Sequence, residues 1–209
     1  MSKTSSCLLK SYRLKDEYIG MLQRLKRRAR FFQSYCKSPL WDTHVSPPEL
    51  FNFLMNHPAG KALDIGCGTG TNLITMAEKG WVVDGVEFIG KAVRAARRKI
   101  YGKNLPIHIY HTDFLTRTFP AASYDLILDM GCYHSLPDED KRLYEEKVTK
   151  SLVHGGYYLL YGFLQTTAPR QAITSNDLQI LSTHLKLIRD ERSLGVGDRP
   201  AAWLLFQRD

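Results

Sequence analysis

Three glycines at a spacing of two residues follow a short apolar run in the segment LDIGCGTGTNL, residues 63–73. Glycine adopts backbone conformations that other residues rarely reach, so Gly66, Gly68 and Gly70 predict a tight turn after a buried strand. Asp64 stands two residues before the first of them. A carboxylate repels a bound phosphate, so the turn is not typical of a phosphate-binding loop. The pattern instead indicates a ligand that favours a negative charge beside a glycine-rich turn.

Two common nucleotide-binding loops do not match this segment. The dinucleotide fingerprint GxGxxG needs its third glycine at position 71, which is Thr71, and a GxxxxGK[ST] loop is absent. Glu87 ends the next apolar segment about twenty residues beyond the turn, where a carboxylate accepts hydrogen bonds from ribose hydroxyls. Together, Asp64, the glycines and Glu87 indicate a ligand with a ribose and a positive amino or sulfonium group. S-adenosylmethionine fits this description.

The elements that must position these residues alternate between strands and helices after residue 60. The patterns predict strands over 61–65, 81–87, 107–111, 124–129, 156–163, 185–191 and 201–207. They predict helices over 71–79, 90–101 and 138–152, and a further helix that starts near residue 176. The alternation implies an α/β fold with a Rossmann-like, seven-stranded, mainly parallel sheet and helices on both faces. No helix separates the last two strands, so we expect that pair to be antiparallel.

The N-terminal part of the chain has a different character. Residues 12–35 carry apolar side chains at helical spacing and basic residues on the other faces, which predicts an amphipathic helix. Ser46 before Pro47 and Pro48 indicates the N-cap of a second helix that runs to about residue 55. The stretch from Lys10 to Lys37 holds nine Lys or Arg and two acidic residues, so it carries most of the net charge of +8.

The segment LDIGCGTG, residues 63–70, resembles the first motif of the class I S-adenosylmethionine-dependent methyltransferases. The segments PLWDTHVSPPEL (39–50) and DMGCYHSLP (129–137) are similar to the small-molecule branch that includes thiopurine- and tellurite-type methyltransferases. The resemblance covers the chain from about Trp41 to its last residue.

The resemblance implies a domain organisation. We expect one methyltransferase domain over residues 1–209, in which 1–45 form an N-terminal helix and lid segment and 46–209 form the catalytic core. In the small-molecule branch the N-terminal segment folds over the bound cofactor, so Trp41 and Asp42 are candidate lid residues. A Trp between prolines also fits an ordinary packing anchor.

The resemblance also implies which residues bind the cofactor. Asp113 matches the acid that contacts the adenine amino group, Phe114 and Phe88 would lie on the two faces of the adenine ring, and Asp129 would face the cleft beside the methionine part. Taken alone, each aromatic residue fits the hydrophobic core better than a contact with the cofactor. The expected S-adenosylmethionine contacts are Trp41, Asp64, Gly66, Cys67, Gly68, Gly70, Glu87, Phe88, Asp113, Phe114 and Asp129.

Methyl transfer is an in-line displacement for which the cofactor carries the reactive group. The protein has to align a nucleophile, exclude water and, for a hydroxyl acceptor, take up a proton. His134 and Tyr133, in the loop after the fourth strand, are the candidate catalytic residues, although this loop could equally be packed for shape. Tyr161, Phe163 and Gln165 are candidates for the acceptor pocket.

The sequence favours a small-molecule acceptor with a thiol, amine or hydroxyl nucleophile. The segment 164–175 is too short for a large recognition insert, and DMGCY stands where nucleic-acid amino methylases carry NPPY or DPPY. One alternative is an RNA- or protein-modifying methyltransferase that docks its partner through the basic segment RLKRRARF, residues 24–31. Two others are a protein that binds the cofactor without catalysis and attachment of the amphipathic helix to a membrane surface.

Composition limits the remaining possibilities. The longest apolar run, YYLLYGFL, is too short to span a bilayer, and the first residues lack the apolar region of a signal peptide. The four cysteines form no CxxC pair, so we expect reduced thiols. His108 and His111 have no Cys or acid cluster beside them, which favours structural roles over metal binding. We expect a cytoplasmic protein without a metal; the sequence specifies no oligomeric state.

Overall fold

The computed structural model describes residues 22, 24–37, 39, 41–167 and 171–209. The chain divides into two compact units, Met1–Pro39 and Leu40–Asp209. Residues 24–36 of the first unit form a helix, α1. The start that we predict for this helix lies outside the described residues. The second unit begins before the predicted core and includes residues 41–45.

The described part of the second unit forms one seven-stranded sheet. Its strands are β1 (Lys61–Ile65), β2 (Val82–Glu87), β3 (Ile107–His111), β4 (Tyr124–Met130), β5 (Leu152–Phe163), β6 (Leu185–Leu194) and β7 (Pro200–Arg208). Their order is β3-β2-β1-β4-β5-β7-β6. Neighbours from β3 to β5 are parallel, whereas β7 is antiparallel to both β5 and β6. The predicted Rossmann-like fold with its C-terminal antiparallel pair is confirmed.

Helices cover both faces of this sheet. They are α2 (Pro48–Asn56), α3 (Thr71–Glu78), α4 (Gly90–Ile100), α5 (Asp138–Ser151) and α6 (Ser175–Leu181), with a short 3₁₀ turn at Tyr133–Ser135. Successive strand residues point to opposite faces, so Ala62 packs with α2, α3 and α4, whereas Leu63 packs with α5 and α6. Among the described residues, no helix is long and apolar enough to span a membrane.

Two predicted boundaries are wrong. Pro47, not Ser46, is the N-cap of α2, because Pro48 suits the first helical position, where a missing N–H costs nothing. Strand β5 begins at Leu152 and not at Gly156. Its pairing with β4 shifts between Leu152 and Tyr157, so the two glycines at 155–156 accommodate an irregularity inside the strand rather than precede it.

The order of the strands in the sheet determines where the ligand site lies. Strand β2 pairs with one side of β1, and β4 pairs with the other side. Strand order therefore reverses between β1 and β4. Ligands of open α/β sheets bind beyond the carboxyl ends of the strands at such a switch point. The glycine turn follows β1, and the loop that carries His134 follows β4, so both lie at this edge.

Candidate active site

The glycine turn connects β1 to α3 with the backbone close to its neighbours. Gly66, Gly68 and Gly70 all have positive φ, at 73°, 53° and 84°. A Cβ atom at Gly66 would lie 2.2 Å from the Sγ atom of Cys132, so no larger residue fits there without movement. The backbone N–H groups of Gly66 and Cys67 donate to the carbonyl oxygen of Val86, which joins the turn to β2. The predicted tight turn is therefore present at the switch point.

Asp64 lies one residue before the end of β1 and is 1% exposed. Its Oδ2 atom has no hydrogen-bond partner among the described residues. Burial, followed by the charges of Asp129 and Glu87, raises the pKa of Asp64 to about 8. A buried carboxylate oxygen without a partner is costly unless a positive group joins it. Asp64 therefore fits a ligand with an ammonium or sulfonium group.

Glu87 ends β2 and connects two loops of the site. Its Oε1 atom accepts from the backbone N–H of Ile89 at 2.7 Å, and its Oε2 atom accepts from that of Gly68 at 3.2 Å. Burial raises the pKa of Glu87 to about 7, although backbone hydrogen bonds from Ile89, Gly68 and Phe88 oppose this shift. A carboxylate oxygen has more than one lone pair, so Glu87 can still accept from ribose hydroxyls.

The predicted adenine-binding residues have different environments. Asp113 is half-buried after β3, and its Oδ1 atom accepts from the backbone N–H of Leu115 at 3.0 Å. Phe88 is half-buried beside Glu87. Phe114 is 4% exposed, and its ring packs against Phe119 and Tyr144 at centroid distances of 5.5 and 4.9 Å. Asp113 and Phe88 are thus partly accessible, whereas the ring of Phe114 belongs to the core.

Asp129 is fully buried near the end of β4 and accepts four hydrogen bonds. The donors are the backbone N–H groups of Cys132 and Tyr133, at 2.6 and 3.0 Å, and the hydroxyls of Tyr144 and Tyr158, at 2.5 and 3.1 Å. Burial raises the pKa of Asp129 to about 6 while these donors oppose the shift. Asp129 therefore joins β4, β5, α5 and the loop that carries His134.

The two predicted catalytic residues point to different places. Tyr133 is 0% exposed, its ring packs edge-on against Tyr144 at 5.7 Å, and burial raises its pKa, so it retains its proton in the core. This burial does not fit a contact with an acceptor. His134 is half-buried and packs edge-on against Phe163 at 5.1 Å. The structure thus brings His134 together with the end of β5, where we predict the acceptor pocket.

The segment from Asp42 to Ser46 is bound to the glycine turn and to α3. Asp42 accepts from the hydroxyl of Thr69 at 2.8 Å, and the Nζ atom of Lys99 lies 2.6 Å from the same hydroxyl and 3.3 Å from His44. The hydroxyl of Ser46 lies 2.7 Å from Asn72. Trp41, by contrast, is 47% exposed. The sequence analysis does not identify Lys99, which sequence periodicity places on the outer face of α4.

Two of the cysteines belong to the site, because Cys67 lies in the glycine turn and the backbone N–H of Cys132 donates to Asp129. Cys7 lies outside the described residues. Cys36, Cys67 and Cys132 are free thiols, and burial raises the pKa of Cys67. Within the described residues, no group of three His, Cys, Asp or Glu side chains could hold a metal ion. The ring of His108 packs edge-on against Tyr110.

Comparison with known proteins agrees with this geometry. A family model described as a methyltransferase domain matches residues 62–156. The 2-heptyl-1-hydroxyquinolin-4(1H)-one methyltransferase of Mycobacteroides abscessus is 23% identical over 133 residues, which cover 63% of this chain and 59% of that protein. A probable thiol methyltransferase 2 of Arabidopsis thaliana is 32% identical over 122 residues, which cover 56% of this chain and 53% of that protein. The chain thus spans less than two thirds of the length of these curated relatives.

A solved structure shares the fold. The 1,6-didemethyltoxoflavin-N1-methyltransferase of Burkholderia thailandensis, bound to 1,6-didemethyltoxoflavin and S-adenosylhomocysteine, superposes with a TM-score of 0.72. It is 19% identical, and the match covers 92% of this chain and 89% of that one. The chain thus has the fold of the class I S-adenosylmethionine-dependent methyltransferases, matches a methyltransferase domain over residues 62–156 and is similar to methyltransferases whose names specify small molecules.

Proposed function

We propose that this protein transfers a methyl group from S-adenosylmethionine to a small-molecule acceptor whose nucleophile is a thiol, an amine or a hydroxyl. The observation that carries the proposal is the buried Asp64 carboxylate, whose Oδ2 atom has no partner among the described residues. It lies beside a glycine turn that cannot accommodate larger side chains at Gly66. A ligand with an ammonium group and a ribose satisfies both Asp64 and Glu87.

The cofactor-binding residues have separate roles in this proposal. Asp64 provides the negative charge for the amino group, and Glu87 accepts from the ribose hydroxyls. Asp113 and Phe88, both partly accessible, contact the adenine, and Trp41 covers the bound cofactor. Phe114 supports this pocket from the core side, as its burial suggests. The backbone of Gly66, Cys67, Gly68 and Gly70 forms the floor. When bound, the cofactor supplies the electrophilic methyl group on its sulfonium.

Residues after β4 act on the acceptor side. Asp129 is a positioning residue, because its four hydrogen bonds fix the loop that carries His134. His134 is the proposed catalytic residue and takes up the proton that an amine or hydroxyl acceptor loses. Tyr133 holds the loop against α5 and carries no proton-transfer role. Tyr161, Phe163 and Gln165 form the acceptor pocket beside His134.

The names of the similar proteins support a small acceptor. Their names specify a hydroxyquinolinone, thiols and 1,6-didemethyltoxoflavin. All are described as substrates or ligands of those proteins, and all are small molecules. We also propose that the protein acts in the cytoplasm, a reducing compartment in which free thiols such as those of Cys36, Cys67 and Cys132 persist.

An acceptor screen tests the proposal. The full chain is incubated with S-adenosylmethionine labelled in its methyl group and with separate pools of small thiols, amines and phenols, and label in the product is measured. We expect transfer to at least one pool and a loss of at least about tenfold in Glu87→Ala, with Glu78→Ala, an exposed residue of α3, as the matched control. Binding of the cofactor without transfer to any pool would contradict the proposal.

The contribution of His134 separates the acceptor classes. His134→Gln should lower kcat by about a hundredfold for a hydroxyl acceptor, which must lose a proton, and far less for a thiolate acceptor, which has already lost it. Equal loss for both classes would show that His134 shapes the pocket and transfers no proton.

A further inference from the structure

A cavity lies at the edge of the sheet opposite to the cofactor site. We call it the amino-edge cavity; it has a volume of about 190 Å³, and its walls include Phe53, His57, Trp81, Asp125, Tyr157 and the segment 153–156. Its walls come from the end of α2, the starts of β2 and β4 and the irregular part of β5. The five residues of β1 separate the two edges by roughly 16 Å. No residue assigned to the cofactor or acceptor is part of it.

Aromatic rings form much of the wall. His57 stacks on Phe53 with a centroid distance of 4.0 Å and an angle of 10°. Tyr157 meets both rings edge-on, at 4.7 Å from His57 and 5.4 Å from Phe53. Trp81 lies behind Phe53 at 6.2 Å. Phe53 and Trp81 are 1% exposed, so the half-buried rings of His57 and Tyr157 are the ones that a ligand can reach. Ring faces carry negative partial charge, so an accessible aromatic ring attracts cations.

The two histidines that line the amino-edge cavity each contact a backbone carbonyl oxygen through one ring nitrogen. The Nδ1 atom of His57 lies 2.8 Å from the carbonyl oxygen of Phe53, and that of His154 lies 2.7 Å from the carbonyl oxygen of Asp209. A carbonyl oxygen only accepts, so each Nδ1 carries a hydrogen. These contacts fix the orientation of both rings in the wall.

A carboxylate completes the wall. Asp125 accepts from the backbone N–H of Lys61 at 2.8 Å through Oδ2, which fixes its position. A Cβ atom at Gly60 would lie 2.3 Å from the same oxygen, so a glycine at 60 is what admits the carboxylate. Among the described residues that line the cavity, none is Lys or Arg. This local negative charge contrasts with the net charge of +8 of the chain.

We propose that the amino-edge cavity binds a small organic cation, an alkylated ammonium group of the kind found in choline. Aromatic rings and a carboxylate are the groups that recognise such cations, and the amino-edge cavity combines both with no Lys or Arg among the described residues that line it. The site is separate from the methyl-transfer site, so its occupation does not depend on the proposed function.

Titration of the ¹⁵N-labelled full chain with choline chloride tests this proposal. The reporter is the indole N–H signal of Trp81, which has no protein hydrogen-bond partner among the described residues. We expect a saturable shift with a millimolar Kd. The neutral isostere 3,3-dimethylbutan-1-ol should bind about fivefold more weakly or worse, because it has the same shape without the charge.

Variants locate the effect in the cavity. Asp125→Asn retains an acceptor for Lys61 and removes the charge, and Tyr157→Leu removes one ring; each should weaken choline binding about fivefold or more. Glu146→Gln, at an exposed position of α5, is the matched control and should leave the Kd unchanged. Three results would overturn the proposal: no saturable shift, equal binding of the neutral isostere, or choline binding that S-adenosylhomocysteine displaces.

Discussion

Asp64, Glu87 and Asp129 lie buried near the carboxyl ends of neighbouring strands, and burial raises the pKa of each. Asp129 has four donors, Glu87 has backbone donors, and the Oδ2 atom of Asp64 has none among the described residues. A raised pKa means that the folded state holds its proton at pH values at which the unfolded chain has lost it. These carboxylates therefore lower the stability of the ligand-free protein as the pH rises from about 4 to about 8.

Asp64→Asn should reverse part of this pH dependence. The substitution removes a group that must ionise in the core, so the ligand-free variant should be more stable than the parent at pH 9 by on the order of 5 kcal/mol, with little difference at pH 4. Urea denaturation at the two pH values measures the change. A variant that is less stable than the parent at pH 9 would contradict the pKa of about 8 assigned to Asp64.

Asp129 should contribute more to the free energy of unfolding than Tyr144, which donates to it. Asp129→Asn replaces one of the two acceptor oxygens by an NH₂ group, so the backbone N–H of either Cys132 or Tyr133 loses its acceptor. We therefore expect a loss of about 2–4 kcal/mol in the free energy of unfolding. Tyr144→Phe, which removes one donor, should cost about 1 kcal/mol. Denaturant titration of both variants provides the comparison. A loss in Asp129→Asn no larger than in Tyr144→Phe would argue against its role in fixing the loop.

At the scale of elements, contacts distant in sequence join the 42–46 segment to the glycine turn. Lys99 of α4 contacts both Thr69 and His44, and Asp42 contacts Thr69. His44 has a φ of 59°, a conformation that is unfavourable for a non-glycine residue and needs support from its surroundings. We propose that these contacts hold the segment in place over the start of α3.

Lys99→Met should loosen this segment without unfolding the core. Loss of about 1 kcal/mol of hydrogen bonding predicts an increase of about fivefold in the Kd for S-adenosylhomocysteine, mainly through faster dissociation. Arg98→Met, at the adjacent exposed position of α4, is the matched control. Stopped-flow and calorimetric measurements give both quantities. If Lys99→Met and Arg98→Met bind equally well, the segment does not retain the cofactor.

The strands and the residues of the glycine turn could be predicted because each depends on local pattern. Asp64 and Glu87 are adjacent to strand ends, so strand periodicity locates them. The contacts of Lys99 could not be predicted, because a Lys on a helix surface gives no sign of a partner thirty residues away. Nor does the sequence CYHS show that Tyr133 turns into the core while His134 packs against Phe163. Which of these two side chains is buried depends on how the loop packs against α5 and β5.

At the scale of the whole molecule, charge divides the chain. Residues 40–209 hold nineteen basic and nineteen acidic residues, so the net charge of +8 belongs to the first 39 residues. Any general attraction to polyanions should therefore come from this part of the chain.

Deletion of residues 1–39 tests this division. The full chain should elute from a heparin column at higher salt than the shortened chain, which should not be retained. The shortened chain should still unfold in one transition if Leu40–Asp209 is an independent unit. Equal retention of the two proteins would show that the basic N-terminal part does not determine binding to polyanions.

Calorimetric titration with S-adenosylhomocysteine at pH 7.5, in buffers of different ionisation enthalpy, tests the central claim most directly. A positive amino group placed beside Asp64 lowers the pKa of that carboxyl, so binding should release roughly 0.5–1 proton. We predict a micromolar Kd with this proton release, and both a weaker affinity and a smaller release in Asp64→Asn. Absence of binding, or binding that Asp64→Asn leaves unchanged in affinity and proton release, would contradict the assignment of the site.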